Sequence, residues 1–342
     1  MADRRHSPAA RYEPTPREGV GRRALLRGAL GLPLVACTTH GAETIVPAGS
    51  DPVSSSRVDP AKAEQYFSSL EQTYDARLGV YALATGTSVP VAHRADDRFA
   101  FGAASQVVTV AAVLEQRPTS YLDTVIRYAP TDLRPASPVT RDHVDTGMAV
   151  RDLCDAALRF GDATAGNLLL GELGGPAQLT TYLRGLGDTV GRVDQYEPER
   201  SDTAPDDPRD TTTPRALAAV YQQILLRGAL SSHHRSMLQA WLDTSTTGAD
   251  TIRAGVPKGW TVVNMAGQGS FGRVGDVAIV RPPRDEPLVL AVQTDRTRRD
   301  APPQNAMIAD VAKYVAAVLY QHADGDRSAS GGQQPGGGRP PR

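Results

Sequence analysis

The order of the secondary-structure signals constrains this fold more than any other feature of the sequence. Runs rich in β-branched residues occur near both ends of the chain, at residues 77–86, 89–95, 261–267, 275–283 and 288–294. The long region between the second and third runs has helical spacing of apolar residues. Strands from both chain ends bury their apolar faces most simply in one sheet. We therefore expect an α/β (α+β) fold, with an antiparallel sheet flanked by helices and an all-helical domain inserted in it.

Helices are predicted before, within and after the strand runs. Residues 62–74 precede the first strand, and Met307, Val311, Val315 and Leu319 share one face of a helix after the last strand. Within the middle region, helices are predicted at 104–116, 149–160, 165–173, 216–227 and 236–242. No run of 18 apolar residues is present in the sequence, which excludes a protein with several membrane-spanning helices.

Composition divides the chain and excludes several classes of function. We expect a folded domain at 62–322, a flexible Ser/Thr/Gly/Pro-rich spacer at 38–61 and a disordered Gly/Pro-rich tail at 323–342. A net charge of −1 argues against direct binding of nucleic acid. Cys37 and Cys154 are the two cysteines, too few for a disulfide framework or a zinc cluster. We expect no metal, no cofactor and a monomer.

The first 37 residues resemble a processing signal. The string GRRALLR at 21–27 is followed by an apolar stretch and then by LVAC, which ends at Cys37. This resembles a twin-arginine export signal joined to a lipobox, in which the cysteine receives a lipid. It predicts a membrane-associated protein anchored through Cys37, with the outer face of the cytoplasmic membrane favoured and the inner face still open. The alternative is an arginine-rich arm in which Cys37 is incidental.

Local strings across residues 62–322 resemble one enzyme family. They are DDRFAF, AAVL, GNLLLGELGGPAQLTTYLRGLGD, YEPE, DPRDTTTPRALA and WLDTSTTGADTIRAGVPKGW. Together they resemble the class A β-lactamases, especially the secreted enzymes of actinomycetes. The resemblance implies the serine β-lactamase/penicillin-binding fold. It also implies that residues 166–188 are the central helix and its continuation, and that YEPE lies in the Ω-loop.

The chemistry of that family depends on four short motifs. A Ser in S-x-x-K attacks the β-lactam, and the Lys one helical turn later helps to remove its proton. A second Ser, in S-D-N, relays a proton to the leaving nitrogen. The Lys of K-[ST]-G binds the substrate carboxylate, and a Glu of the Ω-loop activates the water that releases the acyl group.

This sequence departs from the family at nearly all of these positions. The nucleophile position is Ala103 and the Lys position three residues later is Gln106. Only three of the 37 basic residues are Lys, and none of them lies in S-x-x-K or K-[ST]-G. The remaining two motifs read Gly161, Asp162, Ala163 and Met265, Ala266, Gly267. We therefore expect no catalytic residues and no β-lactamase activity, with Asp162 bonded to nearby backbone.

Glu197 is the one retained catalytic position. It is either a general base for water or a loop carboxylate hydrogen-bonded to its neighbours, and without an acyl-enzyme the second interpretation is favoured. The Arg that clamps the Ω-loop in the family is replaced by Gln195, which faces Asp210. We expect a looser loop for that reason. The Arg that helps to bind carboxylate corresponds to Thr251, while Arg253 is retained at a position that looks structural in the family.

Three weaker patterns carry little function. Ser105 lies about 200° around the helix from position 103, so it is not expected to replace the nucleophile. The string GQGSFG matches G-x-G-x-x-G, but a strand rather than a helix is predicted after it. The acidic cluster of Asp202, Asp206, Asp207 and Asp210 is explained by the Ω-loop without calcium.

The resemblance also implies a function. Actinomycetes encode a β-lactamase-like protein that is required for induction of β-lactamase and is not itself a hydrolase, and this sequence resembles that kind of protein. It would act through a regulatory protein partner or through a β-lactam or peptidoglycan fragment bound non-covalently. One alternative is an enzyme with altered, non-acyl chemistry that uses Glu197. Another is a cell-envelope protein that only binds β-lactams or peptidoglycan fragments.

Overall fold

The structure is a computed structural model that describes residues 58–320. The predicted export signal with Cys37, nearly all of the spacer and the predicted tail lie outside the described residues. The helices are α1 (Pro60–Tyr74), α2 (Ala104–Gln116), α3 (Val150–Phe160), α4 (Ala163–Glu172), α5 (Pro176–Gly185), α6 (Glu199–Asp202), α7 (Pro214–Leu225), α8 (Ser232–Asp243), α9 (Ile252–Gly255) and α10 (Asn305–Tyr320). The strands are β1 (Arg77–Ala84), β2 (Val89–His93), β3 (Phe99–Ala100), β4 (Val125–Ile126), β5 (Met148–Ala149), β6 (Thr211–Thr212), β7 (Thr261–Gly269), β8 (Arg273–Arg281) and β9 (Leu288–Asp295).

One antiparallel sheet joins the two ends of the chain. Its order is β2-β1-β9-β8-β7, so the last strand in sequence pairs with the first, with Val80 opposite Val292. Between β2 and β7 the described chain forms helices, with only two-residue strands among them. The predicted α+β fold, with a helical region inserted into a sheet built from both chain ends, is confirmed.

Each face of the sheet has its own hydrophobic core, because alternate residues of a strand point to opposite faces. On one face α1 and α10 cover the sheet, and Phe67 and Val311 pack with Leu78. On the other face the helical region covers it, and Val277 and Ile279 pack with residues of α2 and α7. The sheet is therefore a middle layer between two helical layers.

The helix that is buried on all sides is α2. Every residue from Ala104 to Leu114 is buried, and most of them are apolar, as expected for a helix in a protein core. Residues 166–188, expected to form a central helix and its continuation, form two helices instead of taking this fully buried position. That segment forms α4 and α5, which are separated at Gly174 and Gly175, where φ is 96° and 95°. Such positive φ angles are readily adopted by glycine and interrupt a helix.

Two other observations bear on the predicted organisation. Among residues 58–320, no helix is long and apolar enough to cross a membrane. Cys154 lies on α3 and is completely buried, and burial raises the pKa of its thiol well above the ordinary value. It is therefore a small core residue and not a reactive thiol, as its position in a helical run predicts.

Candidate active site

The nucleophile position lies where α2 begins, directly against strand β7. Ala103 is the residue that precedes the first turn of α2, with φ −60° and ψ −24°. A Cβ built on Gly267 of β7 would overlap the Cβ of Ala103. The helix and the strand therefore approach each other so closely that only glycine fits at 267. Positions 103 and 267, which belong to two of the family motifs described above, are therefore neighbours in the fold.

Gln106 lies one turn into α2, next to α4. Its side chain is 5% exposed, and a Cβ built on Gly166 would be 3.1 Å from its Nε2. None of the described residues donates a hydrogen bond to its Oε1. An amide at this position is neutral and cannot act as a base toward residue 103.

Asp162 is a structural residue at the start of α4. It is completely buried, and it accepts hydrogen bonds from the backbone N–H groups of Val139, Thr140 and Ala165, each at 2.9 Å. The hydroxyl of Thr140 also donates to it at 2.9 Å. These bonds agree with the prediction that Asp162 holds nearby backbone. Gly161 and Ala163, on either side of it, carry no polar side chain.

The strand motif places a sulfur side chain where the family has a cation. Met265 is completely buried in the core between the sheet and the helical region. Ala266 is 6% exposed, and a Cβ on Gly248 would lie 2.6 Å from its Cβ, so the loop before α9 packs closely on it. This part of β7 therefore offers no positive charge to an anionic ligand.

Glu197 is held in an ion pair inside its own loop. Arg200 donates from Nε to Oε1 of Glu197 at 2.9 Å, and the backbone N–H of Ser201 donates to Oε2 at 3.2 Å. Arg200 is 1% exposed and Glu197 is 7% exposed. The backbone of Glu197 is fixed as well, because Asn167 accepts from its N–H at 3.0 Å and donates to its carbonyl at 2.8 Å.

A cleft of about 410 Å³ opens beside Glu197. Its walls come from α4, from the start of α6 and from two loops, and they carry both signs of charge together with an aromatic ring. The lining residues are Asp132, Arg134, Thr164, Asn167, Leu168, Gln195, Tyr196, Glu197 and Glu199. Tyr196 is 38% exposed, so its ring is available to a ligand in the cleft.

Comparison with known proteins decides the family. The model of the β-lactamase enzyme family matches residues 62–322. This chain belongs to the β-lactamase enzyme family. It is 46% identical to a β-lactamase of Mycobacterium tuberculosis over 313 residues. The aligned residues cover 88% of this chain and 98% of that protein. It is 47% identical over 261 residues to a β-lactamase of Amycolatopsis lactamdurans, covering 76% and 86%.

A solved structure gives the same result for the fold. The β-lactamase from Desulfarculus baarsii superposes with a TM-score of 0.75 at 42% identity, covering 77% of this chain and 99% of that one. The resemblance to the class A β-lactamases, including the actinomycete enzymes, is thereby confirmed, and so is the β-lactamase fold.

In this β-lactamase-family chain, the base of the Ω-loop is held by hydrogen bonds other than the Arg–Asp clamp of the family. Asp210 is buried, and its Oδ1 accepts the backbone N–H groups of Asp194 and Gln195 at 2.7 and 3.0 Å. The side chain of Gln195 instead accepts from Arg209 at 3.1 Å. Burial raises the pKa of Asp210, and the nearby carboxylate of Asp194 acts in the same direction. The expected looseness of the loop stays a prediction.

Thr251 has joined a buried polar cluster. Its Oγ1 donates to Asp276 at 2.6 Å, and Asn264 donates to the same carboxylate at 3.0 Å. Arg253 donates to Oδ1 of Asn264 at 2.8 Å. Burial raises the pKa of Asp276 to about 6 despite these hydrogen bonds. Arg253 lies within the packed structure, in line with the structural role expected for its position.

The remaining sequence patterns are also explained by the fold. Ser105 is completely buried and donates to the carbonyl of Gly102 at 2.8 Å. In GQGSFG, Gly267 and Gly269 lie in β7 and Gly272 lies in the turn before β8, so a strand follows the string, as predicted. Within residues 58–320, no group of three or more acidic, His or Cys side chains could hold a metal ion.

Sequence reasoning missed two arginines at this site, Arg200 and Arg273. The first could have been found, because a Glu and an Arg three residues apart on a helical turn are neighbours. Arg273 could not have been found from the sequence. It lies on β8, and the one acceptor of its side chain among the described residues is the carbonyl of Thr203 in the distant Ω-loop.

Proposed function

We propose that this member of the β-lactamase family does not hydrolyse β-lactams and serves instead as a regulator required for induction of β-lactamase expression. The observation that carries the first half is the side chain at position 103. A methyl group lies at the start of α2 against Gly267, where the family has its nucleophile. A methyl group has no lone pair with which to attack a carbonyl.

Three further features support the loss of hydrolysis. Gln106 is neutral, Met265 is buried in the core, and the carboxylate of Glu197 is paired with Arg200. Removing one member of a catalytic unit can lower turnover by about 10⁶, and further losses then add little. The relatives are named β-lactamases, and that name by itself would predict hydrolysis, so the two expectations can be separated by experiment.

The test of inactivity is the intact mass of the full chain after incubation with a penicillin, together with turnover of a chromogenic cephalosporin. We expect the unmodified mass, and turnover at the rate of the buffer blank. The M. tuberculosis relative, treated in the same way, is the positive control. A stoichiometric adduct or turnover above the blank would show that this chain is an acyl-transfer enzyme.

The regulatory half is supported by the resemblance described above and by the predicted anchor at Cys37. Its test is deletion of the gene in the organism that encodes it, followed by measurement of β-lactamase activity after exposure to an inducing β-lactam. We expect the induced activity to fall to the uninduced level and to return on complementation with the wild-type gene. Normal induction in the deletion strain would refute the regulatory role.

A second candidate function is non-covalent binding of β-lactams or peptidoglycan fragments. The mixed charges and the exposed Tyr196 of the 410 Å³ cleft favour it, since peptide fragments carry both amino and carboxylate groups. Calorimetric titration with muropeptides and with a penicillin would test it, and Tyr196→Ala should weaken binding. The exposed Phe160→Ala variant is the matched control, because Phe160 does not line the cleft.

The altered-enzyme alternative, with Glu197 as the base, has less support. A general base must contact the reacting group, and both carboxylate oxygens of Glu197 already accept hydrogen bonds from Arg200 and Ser201. A pH–rate profile whose acidic limb disappears in Glu197→Ala would establish that alternative.

A further inference from the structure

A second cavity lies under the beginning of α2, on the face of the sheet that the helical region covers. Its volume is about 30 Å³, and about 10–15 Å³ is enough for one water molecule, so a small ion also fits. The backbone at Gly267, Gly269 and Gly275 forms its floor, and Ala103 and Ser201 lie above. It shares no lining residue with the cleft beside Glu197.

The strand register explains why there is space at this point. Gly275 of β8 lies opposite Gly267 of β7 and opposite Gln293 of β9, and Gly269 lies opposite Arg273. Cross-strand partners point to the same face of a sheet. Ala103 and Ser201 pack closely on Gly267 and Gly269, so the gap on this face lies at Gly275, with Arg273 and Gln293 on its own and the neighbouring strand. A Cβ built on Gly275 would have no atom within 4 Å.

Arg273 brings an unpaired positive charge to the cavity. It is 6% exposed, and it donates from Nη2 to the carbonyl of Thr203. No described residue accepts a hydrogen bond from its Nε or its Nη1. A buried guanidinium with no anionic partner is costly, and charge-assisted hydrogen bonds to an anion relieve that cost.

The nearby carboxylates already have partners. Asp295 accepts from Arg77 through both of its oxygens, at 2.9 and 2.5 Å, and Asp202 pairs with Arg299. These acidic groups still act on Arg273 at longer range, but burial outweighs them and lowers its pKa. Among these groups, Arg273 is therefore the guanidinium that has no hydrogen-bonded carboxylate.

Gln293 adds a hydrogen-bond acceptor. It is 3% exposed and donates from Nε2 to the carbonyl of Ala100 at 2.8 Å, which fixes the orientation of the amide. Its Oε1 receives no hydrogen bond from the described residues. A ligand that contacts both side chains must accept hydrogen bonds from Arg273 and donate one to Gln293.

We propose that this cavity binds one small monovalent anion through Nε and Nη1 of Arg273. An anion that also carries a hydroxyl, such as bicarbonate, satisfies Gln293 as well, whereas nitrate has a similar planar shape and no hydroxyl. This site is independent of the proposed regulatory function.

The test is the thermal unfolding midpoint of the full chain at pH 8 in sodium bicarbonate, nitrate or gluconate of equal ionic strength. Gluconate is too large for the cavity and is the control. We expect bicarbonate at ten times its Kd to raise the midpoint by about 3–5 °C over gluconate. A smaller rise with nitrate would support the contact with Gln293.

Two variants connect the effect to the cavity. Gly275→Ala adds a methyl group in open space, keeps every charge and should still fold, and it should abolish the rise by filling the cavity. Arg273→Gln should abolish it too, whereas Arg299→Gln, which changes an exposed arginine outside the cavity, should keep it. Equal midpoints in all three salts for the wild-type protein, or an unchanged rise in Gly275→Ala, would overturn the proposal.

Discussion

Arg200 donates a hydrogen bond from Nε to Oε1 of Glu197 at 2.9 Å. Arg200 follows Glu197 by three residues in the same loop, and both side chains are buried. The carboxylate that the family uses to activate water is here part of an internal ion pair. Arg200 lies in α6 and Glu197 lies just before it, where Glu197 also lines the cleft. The main consequence of the pair is therefore for the stability of the Ω-loop.

Removal of Arg200 should destabilise the protein strongly. Arg200→Ala leaves the buried carboxylate of Glu197 without its partner, and loss of one member of a buried pair costs about 3–5 kcal/mol. The control is Arg151→Ala, because Arg151 pairs with Asp123 at an exposed site, where such pairs contribute about 1 kcal/mol or less. Urea denaturation gives both values. Equal losses in the two variants would mean that the Glu197–Arg200 pair is not specially stabilising.

Restoration of the nucleophile alone should not restore acylation by a penicillin. Ala103→Ser supplies a hydroxyl with no base beside it, so we expect no penicillin adduct by intact mass, and Gln106→Lys alone should also give none. The double variant combines both groups one helical turn apart, and we expect a slowly formed adduct that persists, because Glu197 is paired with Arg200. An adduct on either single variant would contradict this account of positions 103 and 106.

A side chain at Gly267 should separate α2 from β7. The added methyl of Gly267→Ala overlaps the Cβ of Ala103, and overpacking of this kind costs about 1–3 kcal/mol. Gly171→Ala is the matched control, because a Cβ at Gly171 meets nothing within 4 Å and lies in helix α4. That change should stabilise the protein by about 0.5 kcal/mol. A neutral Gly267→Ala variant would show that the contact is less tight than the structure indicates.

Asp276 should make the protein less stable as the pH rises from 4 to 6. Burial raises its pKa to about 6 in the folded state, whereas the ordinary value is 3.8. Between these values the folded state holds the proton and the unfolded state has lost it, so unfolding becomes easier as the pH increases. The shift corresponds to about 3 kcal/mol.

The measurement for Asp276 is the difference in unfolding free energy between the wild-type protein and Asp276→Asn, by urea denaturation from pH 4 to pH 7. Asn does not titrate, so the advantage of the wild type should shrink as the pH rises to 6 and then level off. Arg253 is the charged group that opposes the shift. Parallel stability curves for the two proteins would contradict the raised pKa.

Much of the fold could be predicted because its signals are local. The bounds of α2 agree with the predicted 104–116, since the mostly apolar stretch from Val107 to Leu114 makes up most of this helix. The predicted strands β7, β8 and β9 differ from the observed ones by at most two residues at each end. The helix predicted at 165–173 agrees with α4 to within two residues, and its predicted continuation forms α5 after the break at Gly174 and Gly175.

The sequence by itself determined which chemical groups are absent from the reaction centre. Residue type settles that position 103 has no hydroxyl and that positions 106 and 265 have no amine. Only the tertiary structure decided what the remaining polar side chains do. Arg273 meets the carbonyl of Thr203, 70 residues away in sequence, and is buried beside the gap at Gly275. Such contacts depend on which distant segments folding brings together and on how much water folding removes from the side chains. The spacing of residues along the sequence predicts neither.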